Sequence, residues 1–187
     1  MPQEIGWREL DDAAFADELD AFVAVYSAAM SPPADQLPGR RAIMERHATY
    51  PRFRGVAAWI GEPSTIVGFA YGFHGENGQW WHDMVLTALI ASGGRGVAGT
   101  WLGDSFEIGE VHVDPRFQGR GIGRHMVLAL AAPRAERTAV LSTRDTDSPA
   151  RRLYRKLGFT DLLTAFCFPG APEPYAIMGA ALPLRCA

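Results

Sequence analysis

Lysine is almost absent from this 187-residue chain: Lys156 is the single one, and every other basic side chain is an arginine. That imbalance reads first as genomic codon usage. The 18 basic and 21 acidic residues leave a formal net charge of −3, so no global positive field favours nucleic acid or an anionic membrane. Cysteine is scarce as well. Cys167 and Cys186 match neither CxxC nor metal-ligand spacing, which points to a reduced, cytosolic protein. No apolar run approaches the length of a membrane span. The opening "MPQEIGWRELDD" is acidic and lacks the basic–apolar pattern of a signal peptide, so the expected location is cytoplasmic. His47, His74, His82, His112 and His125 form no HxxxH or HExxH pair, and no metal is expected. A G-x-S-x-G nucleophile elbow is also missing.

What is present suits one soluble domain, residues 1–187, with 48% hydrophobic and 21% charged residues. "IGWREL" reads as a first strand. "DDAAFADELDAFVAVYSAAM" has helical spacing, with Phe15, Leu19, Phe22, Val23 and Tyr26 along one side. A second helix is expected over 34–49. "FRGVAAWIG" and "STIVGFAYGFHG" read as a hairpin joined through Glu62 and Pro63. Residues 75–104 form an insert, read as a helix in "GQWWHDMVLTALIAS" followed by a flexible loop in "GGRGVAG". "SFEIGEVHV" is a strand, 121–132 a helix and "TAVLST" a strand. "SPARRLYRKLG" is a helix with Ser148 as N-cap, Pro149 at its first position and Gly158 at its C-terminal cap. "FTDLLTAFCF" and "YAIMGAALPL" close the chain as strands. The alternation predicts a mixed sheet covered by helices on both faces.

The most informative stretch is "QGRGIGR", residues 118–124, which links the strand "EVHVDP" to a helix. Glycine permits positive φ and lets backbone N–H groups approach an anion closely. The helix N-terminus adds unpaired donors. Arg116, Arg120 and Arg124 crowd the same place, and no acid follows Asp114 until Glu136. Cations there oppose the helix dipole, and a bound anion would relieve that conflict. A tight surface turn with solvated arginines is the alternative reading. A P-loop is excluded because the stretch ends in Gly-Arg-His. Gly94, Gly96 and Gly99 do spell G-x-G-x-x-G, but they follow a helix and open none, so they carry no dinucleotide site.

"VHVDPRFQGRGIGRHMVLAL" resembles the acyl-CoA-binding motif of the GCN5-related N-acetyltransferases, Q/R-x-x-G-x-G/A after a strand ending in V-x-P, with Gln118, Gly121 and Gly123 at the defining positions. "DSPARRLYRKLGF" resembles the family's second signature through Ala150, Leu153, Tyr154, Lys156, Gly158 and Phe159, with Asp147 where asparagine is common. The strong resemblance covers about residues 106–160. It implies an α/β (α+β) fold whose mixed, mostly antiparallel sheet of six to seven strands is splayed in the middle. It implies transfer of an acetyl group from acetyl-CoA, as co-substrate, to an amine, and the leading reading of the acceptor is a primary amine of a small molecule. Amides of Gln118, Gly119, Arg120, Gly121, Ile122, Gly123 and Arg124 would hold the pyrophosphate, and the backbone at Val111, His112 and Val113 would hold the pantetheine arm and thioester carbonyl.

An alkylamine with pKa near 10.4 must lose a proton before it attacks. The strand offers Glu110 first and Glu107 second as base, with His112 beside them. Without a bulge, Glu110 and His112 share one face and Glu107 lies on the other. Tyr154 is the expected acid for the departing thiolate. Trp80, Trp81, Asp83 and Trp101 in the insert are the candidate acceptor-binding residues, with packing onto the core as the alternative for the tryptophans. Two other readings keep the fold: a protein N-terminal or other acyl transferase, and a non-catalytic acyl-CoA-binding regulatory module. Homodimers are common in the family. No nucleic-acid or membrane partner is expected.

Overall fold

A computed structural model of the chain describes residues 4–61 and 64–184. In chain order the elements are β1 (Ile5–Leu10), α1 (Asp12–Asp17), α2 (Leu19–Met30), α3 (Leu37–Ala48), β2 (Arg54–Ile60), β3 (Thr65–Gly75) and α4 (Trp80–Leu102). β4 (Ser105–Val113), α5 (Ile122–Ala131), β5 (Thr138–Arg144), α6 (Pro149–Lys156), β6 (Thr160–Phe166) and β7 (Tyr175–Ala181) complete the chain. The seven strands lie in the order β1-β2-β3-β4-β5-β7-β6. The β4–β5 pair is parallel, while β1–β2, β2–β3, β5–β7 and β6–β7 are antiparallel. This is the mixed sheet that the alternation predicts, and the mostly antiparallel one that the resemblance implies. The expected joint at Glu62 and Pro63, and Cys186, lie outside the described residues.

The chain divides into two units, Met1–Phe73 with Ile108–Leu130, and His74–Glu107 with Ala131–Ala187. In the first, Asp11 caps α1 by accepting from Ala14 N at 2.9 Å. α2 ends at Ser31, whose left-handed conformation (φ 48°) and the prolines behind it stop the helix. Phe15, Leu19, Phe22 and Tyr26 are buried against Ala57, Phe69 and Tyr71, as their spacing predicts. α5 packs on the opposite face of β3. A Cβ at Gly68 would come within 3.2 Å of Ile122 Cγ2 and 3.4 Å of Met126 Cε. Helices therefore cover both faces of this half of the sheet.

In the second unit β5 pairs with β7 along its whole length, from Thr138↔Ala181 to Arg144↔Tyr175. Its register with β4 covers three pairs, Ser105↔Thr138 to Glu107↔Val140. α4 departs from the sequence expectation. Residues 93–99, read as a flexible loop, are the second half of this helix, after a kink at Gly94 (φ 81°, ψ 172°). Glycine disfavours helix by about 1 kcal/mol. Burial of Ala98 and Leu102 with Val140 and Ile177 outweighs that cost. α6 has the expected ends: Ser148 Oγ accepts from Arg151 N at 3.1 Å, and Gly158 has φ +92°.

Arg134 is a buried cation in this unit. It donates to Glu136 at 2.6 Å and lies over the Phe106 ring at 4.1 Å, and Glu136 also meets His74 at 3.2 Å. Removing one partner of a buried pair strands the other charge, at a cost of about 3–5 kcal/mol. Glu136→Gln is expected to lose that much in urea denaturation, and the double replacement Arg134→Met, Glu136→Leu to recover most of it. An unaltered Glu136→Gln midpoint would show that water reaches the pair.

Candidate active site

The glycine turn forms entirely within the first unit. Asp114 ends β4 and organises the start of the turn: its carboxylate accepts from Arg116 N at 2.9 Å and from the Arg116 guanidinium at 2.7 Å. The Arg116 hydrogen bonds hold the Asp114 carboxyl below the ordinary aspartate value. Gln118 Nε2 reaches back to donate to Val113 O at 3.0 Å, tying the turn to the strand end. Gly119 and Gly121 then take φ +75° and +79°, with open space where a Cβ would stand. α5 begins at the buried Ile122. The amides of its first turn have no partner within the helix and belong to residues the sequence singled out. Arg116 is spent on Asp114. Among the described residues neither Arg120 nor Arg124, both exposed, takes part in an ion pair, so two cations without an acidic partner flank the turn, Arg120 lying over the Phe117 ring at 5.1 Å.

Beside it, β4 carries a charged cluster. Glu110 Oε1 accepts from Arg40 Nη1 of α3 at 2.7 Å, and Glu110 Oε2 meets His112 Nε2. Both the Glu110 and His112 side chains are about nine-tenths buried. Burial alone would raise the Glu110 carboxyl. His112 and Arg40 outweigh it and hold the group below the ordinary glutamate value. The Arg40 guanidinium lies over the Tyr26 ring at 4.7 Å, and Tyr26 and Phe69 clamp the His112 ring at 5.1 and 5.6 Å. His47 Nδ1 lies 3.0 Å from the Tyr71 hydroxyl, and burial pushes the His47 imidazole down to about 4, leaving it neutral at pH 7.

Glu110 and His112 share a face, as strand parity predicts. Strict alternation nevertheless breaks just before them. A Cβ at Gly109 would point at the Tyr71 ring, 2.6 Å from Cε2, so Gly109 and Glu110 turn to the same side. Arg40, Tyr26, His47 and Tyr71 were not among the site residues that the sequence suggests. Arg40 lies 70 residues from Glu110, and no local signal links them.

The remaining sequence candidates belong to the second unit. Glu107 is buried (4% exposed) with Oε2 lacking a hydrogen-bond partner, and burial pushes its carboxyl up to about 8. Tyr154 is buried on α6 (7% exposed), its ring edge-on to Phe159 at 5.8 Å. Asp147, in the asparagine position, is exposed and paired with Arg152 at 2.9 Å. Within α4, Trp101 packs on Gly179 and Trp81 donates to Ser142 Oγ at 3.1 Å. Trp80 is 57% exposed, 5.5 Å from the Phe168 ring. Asp83 accepts from Gly78 N at 3.0 Å. Two of the tryptophans thus serve packing, and Trp80 faces solvent. Among the described residues no cluster of His, Cys, Asp and Glu is arranged to hold a metal ion, and no helix is long and apolar enough to cross a membrane.

Comparison with known proteins places these features. Residues 51–161 match the profile of the Acetyltransferase (GNAT) domain. Over 123 residues the chain is 45% identical to the GCN5-like protein acetyltransferase Rv2170 of Mycobacterium tuberculosis. The match covers 64% of this chain and spans 60% of that relative's length. Among solved structures, the ribosomal-protein-S18-alanine N-acetyltransferase of Escherichia coli superposes with a TM-score of 0.63 at 16% identity, covering 96% of this chain and 94% of the other. A PaiA N-acetyltransferase from Thermoplasma acidophilum, solved in complex with coenzyme A, gives 0.59 at 12% identity, covering 95% and 99%. At such identities the likeness shows the fold alone.

Proposed function

This chain belongs to the GNAT acetyltransferase family, and from that membership we propose that it transfers the acetyl group of acetyl-CoA to a primary amine. The observation that carries the proposal is the turn at 118–124: two glycines with positive φ, the amides of the first α5 turn, and two arginines without an acidic partner among the described residues. A diphosphate satisfies all three at once. The backbone at Val111, His112 and Val113 would hold the pantetheine arm and polarise the thioester carbonyl.

Proton removal falls to the β4 cluster around Glu110. Glu107, holding its proton at pH 7, is poorly suited to accept another. Tyr154 keeps the role that its motif implies, returning a proton to the departing thiolate. The neutral amine attacks the carbonyl carbon, the N–C bond forms, and collapse of the tetrahedral intermediate breaks the C–S bond. Tyr154→Phe is expected to bind coenzyme A unchanged and to lower kcat by about 10²- to 10³-fold. Equal kcat at saturating substrates would remove Tyr154 from the reaction.

The acceptor we favour is the amine of a small molecule. Trp80 is its candidate contact, since Trp81 and Trp101 are engaged in packing. A protein amine is the second reading, supported by the name of the 45% identical mycobacterial relative. The deciding experiment follows thiol release from acetyl-CoA with panels of small amines and of lysine and N-terminal peptides. Turnover confined to peptides would replace the first reading with the second. Saturable coenzyme A binding without turnover on either panel would leave an acyl-CoA-binding module.

A further inference from the structure

We propose that the His112 imidazole is the group that takes the acceptor's proton, with Glu110 and Arg40 as positioning residues that fix its ring and tautomer. The proposal deepens the N-acetyltransferase reading and rests on it. The geometry is that of an imidazole oriented from behind by a carboxylate. Glu110 Oε2 faces His112 Nε2, and a carboxylate only accepts, so the proton of the neutral ring belongs on Nε2. The lone pair is then on Nδ1, for which there is no hydrogen-bond partner among the described residues. Arg40 holds the other carboxylate oxygen at 2.7 Å, which prevents Glu110 from swinging away. Tyr26 and Phe69 pack against the ring, so it is held at two sides as well as at one nitrogen.

Glu110 itself is badly placed to be the base. Both of its oxygens already accept hydrogen bonds from cationic or N–H groups, and those contacts stabilise the ionised form. An imidazole is ordinarily the stronger base by about 2 pH units. The groups packed against the His112 ring are Glu110 on its own strand, Tyr26 of α2 and Phe69 of β3, while Arg40 and the neutral His47 of α3 act on Glu110. Glu110 sets a carboxylate oxygen against His112 Nε2, and Arg40 pairs with that carboxylate's other oxygen.

Protons and bonds balance across the step. Nδ1 takes one proton from the ammonium, directly or through one water, and later gives it to solvent. The free amine attacks the thioester, and its second proton leaves the nitrogen as the thiolate is protonated. The products are the amide, the thiol and one released proton.

The test uses the full chain, with kcat and KM measured from pH 5 to 9 and the His112 ring followed by NMR. His112→Gln should lose about 10²-fold or more in kcat, with coenzyme A affinity intact and the acid-side ionisation of the profile gone. Glu110→Gln should lower kcat, move the imidazole titration to lower pH and relax the tautomer. Arg40→Met should move the titration the other way, and Arg40→Lys should restore the wild-type profile in part. A merely structural role would change stability or KM without displacing the titration. If wild-type protein turns over amines while His112→Gln keeps the same profile, or if Glu110→Gln leaves the titration in place, the proposal is overturned and the transferase reading stands. If wild-type protein turns over no amine, that reading fails first and the base role goes with it.

Discussion

Gly121→Val is expected to fold and to lose coenzyme A. No atom stands within 4 Å of a Cβ built at this position, so the substitution meets no steric obstacle inside the protein. Its folding cost comes from the backbone alone. At φ +79° a side chain costs about 1–2 kcal/mol, somewhat more when β-branched. The same open space is where a diphosphate must approach the amides. A valine there fills the approach and pulls the φ angle away from the value that aims the N–H groups. Losing one or two amide-to-phosphate hydrogen bonds, at about 1.5–3 kcal/mol each, lowers affinity by about 10- to 100-fold or more. Calorimetry with coenzyme A, beside a melting curve, separates the two effects. A variant that melts a few degrees low and binds as wild type would remove the turn from the cofactor site. Gly119→Val makes the same prediction, since φ is +75° and the space is equally open.

Glu107→Gln is expected to stabilise the protein above neutral pH. In the folded chain burial raises the Glu107 carboxyl from 4.5 to about 8. Folded protein therefore keeps a proton that the unfolded chain has already released. The favourable contribution is fully present below pH 4.5, declines as pH rises, and is gone above about pH 8. At about 1.4 kcal/mol per pH unit across that window, the decline amounts to about 4–5 kcal/mol. Glutamine keeps the shape and the polar burden but has nothing to ionise. The difference between variant and wild type should thus be small at pH 5 and should grow in the variant's favour up to pH 8. Other carboxylates with lowered values, such as Glu110, lose their contribution on the acid side and cancel in this difference. Denaturation at pH 5, 6.5 and 8 measures it directly. A difference that stays flat with pH would mean that Glu107 ionises freely.

The two glutamates mark the boundary of what a linear reading can reach. Both were visible as candidate bases in "FEIGEVHV", three positions apart on one strand. Strand parity placed Glu110 with His112, which holds in the structure. It carried no information about Arg40, because loop-separated elements meet through packing of α2 and α3 on Phe69 and Tyr71. Nor could it show that alternation breaks at Gly109, where the large Tyr71 ring leaves room for no side chain. The insert failed differently. "GGRGVAG" has the composition of a loop, and local propensity was outweighed by the apolar surface of Ala98 and Leu102 settling on the sheet. By contrast, the ends of α6 needed nothing remote. Ser148, Pro149 and Gly158 satisfy or excuse backbone groups within one turn of themselves, so their roles were plain in sequence order.

By itself, then, the sequence determined the glycine turn, the capped helix that carries Tyr154 and the mixed order of strands. The turn and the helix caps depend on contacts between residues a few positions apart, and the strand order shows through the alternation of element types along the chain. Only the tertiary structure decided the charges. Glu107 keeps its proton because burial disfavours its charge and leaves Oε2 without a partner among the described residues, while Glu110 gives its proton up because a histidine two residues on and an arginine from a remote helix hold the anion. Ionisation answers to the dielectric and the charges within a few ångströms, and the fold alone sets which charges those are.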